Sequence, residues 1–181
     1  MNSEENKSSL MVLDEEIQEF KKIIKDIISN SSVLSLKEHT QHMNSSRFEH
    51  CYDVAYYTYK ICKKWGLDYI SATRGAMLHD FYFYDWRHKG VKGQKRFHAY
   101  RHPRIAWHNA NENFELNEVE KDVIIKHMWP LTWRLPRYKE SYVVTIVDKY
   151  CATKEFFDSL KYAKKLKKIT KMKKWERGVQ K

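Results

Sequence analysis

Glycine and proline are scarce in this chain, 5 and 3 among 181 residues, too few to punctuate a fold of many tight turns, so long helices are favoured. The three cysteines, Cys51, Cys62 and Cys151, are odd in number and lack C-x-x-C spacing. That excludes a disulfide framework and a zinc ribbon, and they read as reduced, buried thiols of a cytoplasmic protein. No stretch approaches the roughly 18 apolar residues needed to span a membrane, and no basic segment followed by an apolar run marks the first residues as a secretory signal. Acidic residues are nearly absent from one region only. Residues 161–181 hold nine lysines and one arginine against Glu176, a local net of +9, so the other 160 residues carry about +2 of the total +11. The excess charge belongs to a tail.

What the chain does have is apolar content of 42%, which excludes disorder for the whole, and a length suited to one domain over 1–181 with a real core. From Asp14 as N-cap, Ile17, Phe20, Ile23, Ile24, Ile27 and Ile28 repeat near 3.6 residues, which predicts an amphipathic helix. Residues 31–46 are polar and read as a short helix flanked by loops. Ser46 can cap a helix over 47–65 that Gly66 stops, and Asp68 can cap another over 69–79. An irregular, aromatic and basic stretch follows over 81–101, long enough to be functional. His102-Pro103 predicts a helix start with proline at its first position. Asn117-x-x-Glu120 predicts a capping box for the helix that ends at His127. The run Val143–Val147 has β-propensity, but with no partner strand in view a helix over 139–152 is the better reading, fading from about 153 into the basic tail. The fold class is all-α.

On these helices stand His50, His79, Asp80, His102, His127 and Asp148, an imidazole and carboxylate set suited to a Lewis-acid or redox-capable cation. A lone histidine on an apolar face is more often a core residue, but buried carboxylates need a partner to stay charged, and metal ligation supplies one. His102 and His127 have a blander alternative as residues of a helix start and a helix end. Arg47, one turn before His50, could meet a substrate phosphate through its planar fork or be a solvated surface arginine. Lys149 could neutralise developing charge or point away. Arg96, His98 and Arg101 could line a phosphate pocket. Tyr84, Trp86 and Trp129 could stack on a base or plug the core. His39, His42, His88 and His108 are read as non-ligands.

The ordered segments Arg47-Phe-Glu-His50, Gly75-Ala-Met-Leu-His79-Asp80, His102-Pro-Arg-Ile-Ala and Ile146-Val-Asp148-Lys-Tyr-Cys-Ala resemble the HD-domain metal-dependent phosphohydrolase superfamily over residues 45–155. The resemblance implies a helical bundle of five or six core helices, with an N-terminal helical extension over 1–44 and a basic C-terminal helix or tail over 156–181. It implies one metal held by His50, His79, Asp80 and Asp148, and a second held through His102 and His127, with Asp80 bridging. Two such cations acidify a water whose hydroxide attacks phosphorus, and stabilise the attacking and departing oxygens of a phosphoryl ester. Imidazole and carboxylate together suit iron or manganese, with nickel, cobalt, zinc and magnesium left open. Asp80, Arg47 and Lys149 are the candidate catalytic residues, and Arg47, Arg96, His98, Arg101 and Trp129 the candidate substrate contacts. Tyr82 stands where many members have glycine, and no GYP follows His127, unlike the cyclic di-guanylate subgroup. Phe83 stands where single-metal deoxynucleotidases have glutamate. The closest resemblance is to small two-metal hydrolases, including those cleaving symmetrical dinucleoside tetraphosphates. The expected partner is a small phosphate ester or nucleotide, with no membrane. Alternatives are a catalytically silent HD-fold sensor and an RNA-associated protein acting through the lysine tail, a mode that charge without interleaved aromatics does not favour.

Overall fold

The computed structural model describes residues 2–42, 45–84 and 98–179, with side chains for 11–39, 45–84 and 98–166. In chain order the helices are α1 (Asn2–Ile23), α2 (Lys25–Ser29), α3 (Ser31–Leu34), α4 (Arg47–Lys64), α5 (Tyr69–Leu78), α6 (His98–Asn113), α7 (Glu118–Lys126) and α8 (Lys139–Val179), with a 3-10 turn over Ser35–Glu38. The all-α reading holds. A two-stranded antiparallel ribbon, β1 (Thr40–His42) with β2 (Ser45–Ser46), was not expected from the polar 31–46 segment. It brings the chain back to the start of α4, where Arg47 N–H donates to the His39 carbonyl at 2.7 Å. None of the described helices is long and apolar enough to cross a membrane.

Three of the caps read from sequence, at Ser46, Asp68 and Asn117, are in place. Ser46 accepts from Glu49 N–H while the Glu49 carboxylate accepts from Ser46 N–H, a reciprocal box that satisfies two otherwise orphaned donors. Asn117 and Glu120 make the second such box. Asp68 accepts from Ser71 N–H. Gly66, at φ +66°, adopts the left-handed turn that ends α4.

Two helix starts differ from the sequence reading. α1 begins at Asn2 and Asp14 lies inside it. Nothing between residues 2 and 14 breaks a helix, and the apolar stripe starts late because Met11, Val12 and Leu13 face solvent. α6 begins at His98, with Pro103 in its second turn. The cost of that proline is one forgone helix bond, the one an N–H at 103 would give to the Ala99 carbonyl. The irregular stretch expected over 81–101 therefore ends by His98.

The core is continuous. Phe20, Ile24 and Ile27 pack beside α4, and Phe20 meets Tyr52, Tyr56 and Tyr59 edge-on or tilted. α5 lies between α4 and α7, and α8 crosses both α4 and α7. Gly75 allows the α5–α7 approach: a Cβ there would stand 2.9 Å from Val123 Cβ and 3.2 Å from Glu120 Cα. Gly75 and Val123 each lie four residues before a histidine, so this crossing sets His79 and His127 side by side, their rings 4.9 Å apart. All three cysteines are free and buried, and burial pushes the Cys62 and Cys151 thiols up to about 12, which makes them poor nucleophiles.

Candidate metal centre

Five helices each deliver one part of the centre. His50 lies in the first turn of α4, His79 caps α5 with Asp80 following, His102 lies in the second turn of α6, His127 caps α7, and Asp148 comes from the third turn of α8. His50, His79, Asp80, His102 and His127 are buried, and Asp148 is 13% exposed. Their ligand atoms form two groups, His50–His79–Asp80 and Asp80–His102–His127, each with all atoms within 4.8 Å of one another. Asp80 belongs to both. Asp148 Oδ1 joins the first group at 3.1 Å from His50 Nε2 and 3.6 Å from His79 Nε2. His102 Nε2 and His127 Nε2 lie 3.3 and 3.7 Å from Asp80 Oδ1.

The ring orientations point to cations at the centre. A carbonyl only accepts, so a histidine Nδ1 against a carbonyl carries the proton and leaves Nε2 as a lone pair when the ring is neutral. His79 Nδ1 donates to the Ala76 carbonyl at 2.7 Å, His102 Nδ1 to His98 at 2.8 Å and His127 Nδ1 to Ile124 at 2.9 Å. The Nε2 atoms of His102 and His127 then face each other at 2.8 Å. Burial, with the charge of His79 beside it, holds His127 down at about 3, and burial also lowers His102, so both are neutral. Two lone pairs so close repel unless something positive sits between them and Asp80. In the other group His79 Nε2 is buried and has no hydrogen-bond partner, an omission native structures rarely tolerate. The residues present fit divalent cations in both groups.

Charge is distributed unevenly between the two. Burial alone would lower His50 and raise the carboxylates. The hydrogen bonds with Asp148 and Glu155 outweigh it and push His50 up to about 10. Asp80 is held well below the usual carboxylate range, the charge of His79 above all overcoming its burial, and His50 and His79 do the same for Asp148.

The remaining sequence candidates fall at varied distances from the centre. Arg47 is buried, which excludes the solvated-surface alternative. It donates to the carbonyls of Tyr82 at 2.6 Å and Tyr84 at 3.3 Å, with its guanidinium 3.7 Å over the Tyr82 ring. It thus secures the segment that leaves Asp80. Lys149 turns inward, donating to the carbonyls of His127 at 3.0 Å and Thr145 at 3.3 Å, with Nζ 3.8 Å from Asp148 Oδ2. His98 stacks on His102 at 4.4 Å with Nδ1 3.0 Å from the Tyr84 hydroxyl, and burial pushes it down to about 4. Arg101 is exposed beside His102, while Trp129 packs edge-on against Tyr142 two residues past His127. Arg96, Trp86 and His88 lie outside the described residues, as does the His42 side chain. His39 lies against Phe83, and His108 pairs with Glu112 on the surface.

Sequence reading missed Glu155. Its Oε1 accepts from His50 Nδ1 at 2.8 Å, and its Oε2 accepts from the Ser45 hydroxyl at 3.2 Å. The available signal was its spacing: seven residues after Asp148 is two helical turns, the same face of α8.

No curated protein and no solved structure matches the chain significantly. The family model of the HD domain matches residues 47–153, the stretch from the buried arginine of α4 to just past Asp148. With the histidine and aspartate residues of that stretch brought together as two potential cation sites sharing Asp80, the chain belongs to the HD domain family.

Proposed function

We propose that the chain is a metal-dependent phosphohydrolase that takes two divalent cations, iron or manganese by ligand chemistry, and cleaves a phosphate ester or anhydride of a nucleotide or small phosphorylated metabolite. One observation carries the reading: the Asp80 carboxylate is common to two separate groups of ligand atoms. His50, His79 and Asp148 would complete one site and His102 and His127 the other. When bound, the pair supplies Lewis-acid charge and a water acidic enough to serve as nucleophile near neutral pH.

The protein's own groups do the positioning. The backbone carbonyls behind His79, His102 and His127 fix each ring so that Nε2 points inward. Arg47 holds the chain after Asp80 by its two carbonyl contacts. The centre opens towards α8, where Asp148 is 13% and Lys149 37% exposed. Lys149 there offers positive charge to an arriving phosphate, and Arg101 and His98 extend the rim on the α6 side. Protein purified without chelators should carry two metal ions per chain by elemental analysis. Reconstituted with manganese, iron, nickel or cobalt, it should release phosphate or a nucleoside phosphate from a panel of esters and nucleotides. Asp80→Ala should remove both metal content and turnover, and His79→Ala should remove turnover with the ion of the His50 half. Turnover that persists with no metal bound would sink the reading.

A further inference from the structure

Four histidines face the centre, and three of them are oriented in the same way. His79 and His127 cap helices, where the last carbonyls lack intrahelical partners, so each Nδ1 takes the carbonyl three residues back. His102 takes the carbonyl of His98, one turn back on its own helix. His50, in the first turn of α4, differs. Its Nδ1 partner comes instead from another helix, and it is a carboxylate. Glu155 Oε1 is 2.8 Å away, while Ser45 of the β-ribbon donates to Oε2 at 3.2 Å. Asp148, on the same face of α8, sits at the opposite ring nitrogen at 3.1 Å. One helix therefore grips His50 at both nitrogens.

We infer that Glu155 is the positioning residue of His50, and that it makes the His50 half the tighter of the two cation sites. The inference rests on the two-cation reading above. A carboxylate behind a ligand imidazole fixes its tautomer and raises its donor strength more than a neutral carbonyl does. The His50 half has Asp148 to itself, shares Asp80, and has the Glu155 charge one atom layer out. The other half shares Asp80 and otherwise holds two imidazoles backed by neutral carbonyls. Affinity for a hard or borderline divalent ion follows ligand charge when geometry is similar. Lys149, 3.8 Å from Asp148 Oδ2, offsets part of that charge but gives its hydrogen bonds to the carbonyls of His127 and Thr145. The two sites load in order, His50 half first, and the His102–His127 half remains the exchangeable one.

Calorimetric titration of manganese(II) into the metal-free full-length chain tests this. Wild type should bind in two resolved steps. Glu155→Gln keeps an oxygen acceptor but removes the charge, and should weaken the tighter step by roughly 10- to 100-fold while leaving the weaker step within about 2-fold. His127→Ala should delete the weaker step alone. Should Glu155→Gln fail to give a folded protein by circular dichroism, Ser45→Ala supplies the second variant. It loosens only the Oε2 side and should weaken the same step by a smaller factor. A carboxylate that merely props up the fold would lower the melting temperature and move neither step, or move both equally, and either result overturns the proposal. Wild type taking up fewer than two ions would overturn the two-cation reading and this inference with it. That failure is seen in wild type alone, before any variant is compared.

Discussion

Asp122 fixes the neighbourhood of His127 without touching it. Its Oδ2 accepts from Arg137 N–H at 2.9 Å and the Ser141 hydroxyl at 2.7 Å, and its Oδ1 pairs with Lys126 at 2.5 Å. The segment running from His127 to α8 is thereby tied back onto α7. Burial opposes the charge, but Lys126, Ser141 and Arg137 outweigh it and hold the carboxyl below its ordinary value. A folded-state value below the unfolded one stabilises the protein at all pH above about 4, and that contribution fades as pH falls through the lower folded value. Asp122→Asn should therefore cost about 1–3 kcal/mol at pH 7, and the gap to wild type should narrow in urea melts as the pH drops below about 4. An equal gap at pH 7 and pH 3 would mean that the charge contributes nothing. The same side chain shows where sequence reading stops. The six ligand-type residues were legible because their identities and order carry the chemistry. Asp122 and Glu155 were not, since an acid on a helix is ordinary until the fold brings a partner 15 or 105 residues away into reach.

At the scale of elements, the two glycines that matter do different work. Gly66 needs its positive φ, and a Cβ there would meet nothing within 4 Å. Gly75 has ordinary helical backbone, but its missing Cβ is what lets α5 lie on α7. Gly66→Ala should cost roughly 1 kcal/mol through backbone strain and leave metal content intact. Gly75→Ala should cost about 1–3 kcal/mol through overpacking and also reduce metal content, because the helices that part there carry His79 and His127. Thermal melts with elemental analysis of both variants separate strain from clash; equal metal content in the two would remove the geometric link between the crossing and the centre. Gly66 was legible as a stop because its turn chemistry is local. Gly75 was not, since nothing in Arg74-Gly75-Ala76 says which helix will lie against it. The same division explains the starts of α1 and α6. Caps with reciprocal side chains, as at Ser46 and Asn117, announce themselves. A helix that begins before its apolar stripe, or carries a proline in its second turn, does not.

At the scale of the whole molecule, the bundle is built around a polar centre. The apolar core runs from Phe20 and Ile24 through Ala72, Ala76 and Val123 to Val144 and Cys151, and it packs the same helices that carry the imidazoles and carboxylates of the centre. Two cations bound there would between them touch residues from α4, α5, α6, α7 and α8. They cross-link the bundle by contacts no unfolded chain can assemble. Without them, the opposed nitrogens of His102 and His127, and a His79 Nε2 with no hydrogen-bond partner, stay buried at a cost. Binding to the native state alone stabilises by about 4 kcal/mol when free metal is 1,000 times its dissociation constant. For a domain of this length each kcal/mol moves the melting temperature by roughly 2–4 °C, so chelation should lower it by on the order of 10 °C. Adding manganese back should restore it, in proportion to the logarithm of free metal. Asp80→Ala, which lacks the ligand common to both sites, should melt at the same temperature with or without chelator. A wild-type melting temperature that does not move when elemental analysis shows the metal has gone would mean that the five helices hold together without it. The buried imidazoles would then need another partner.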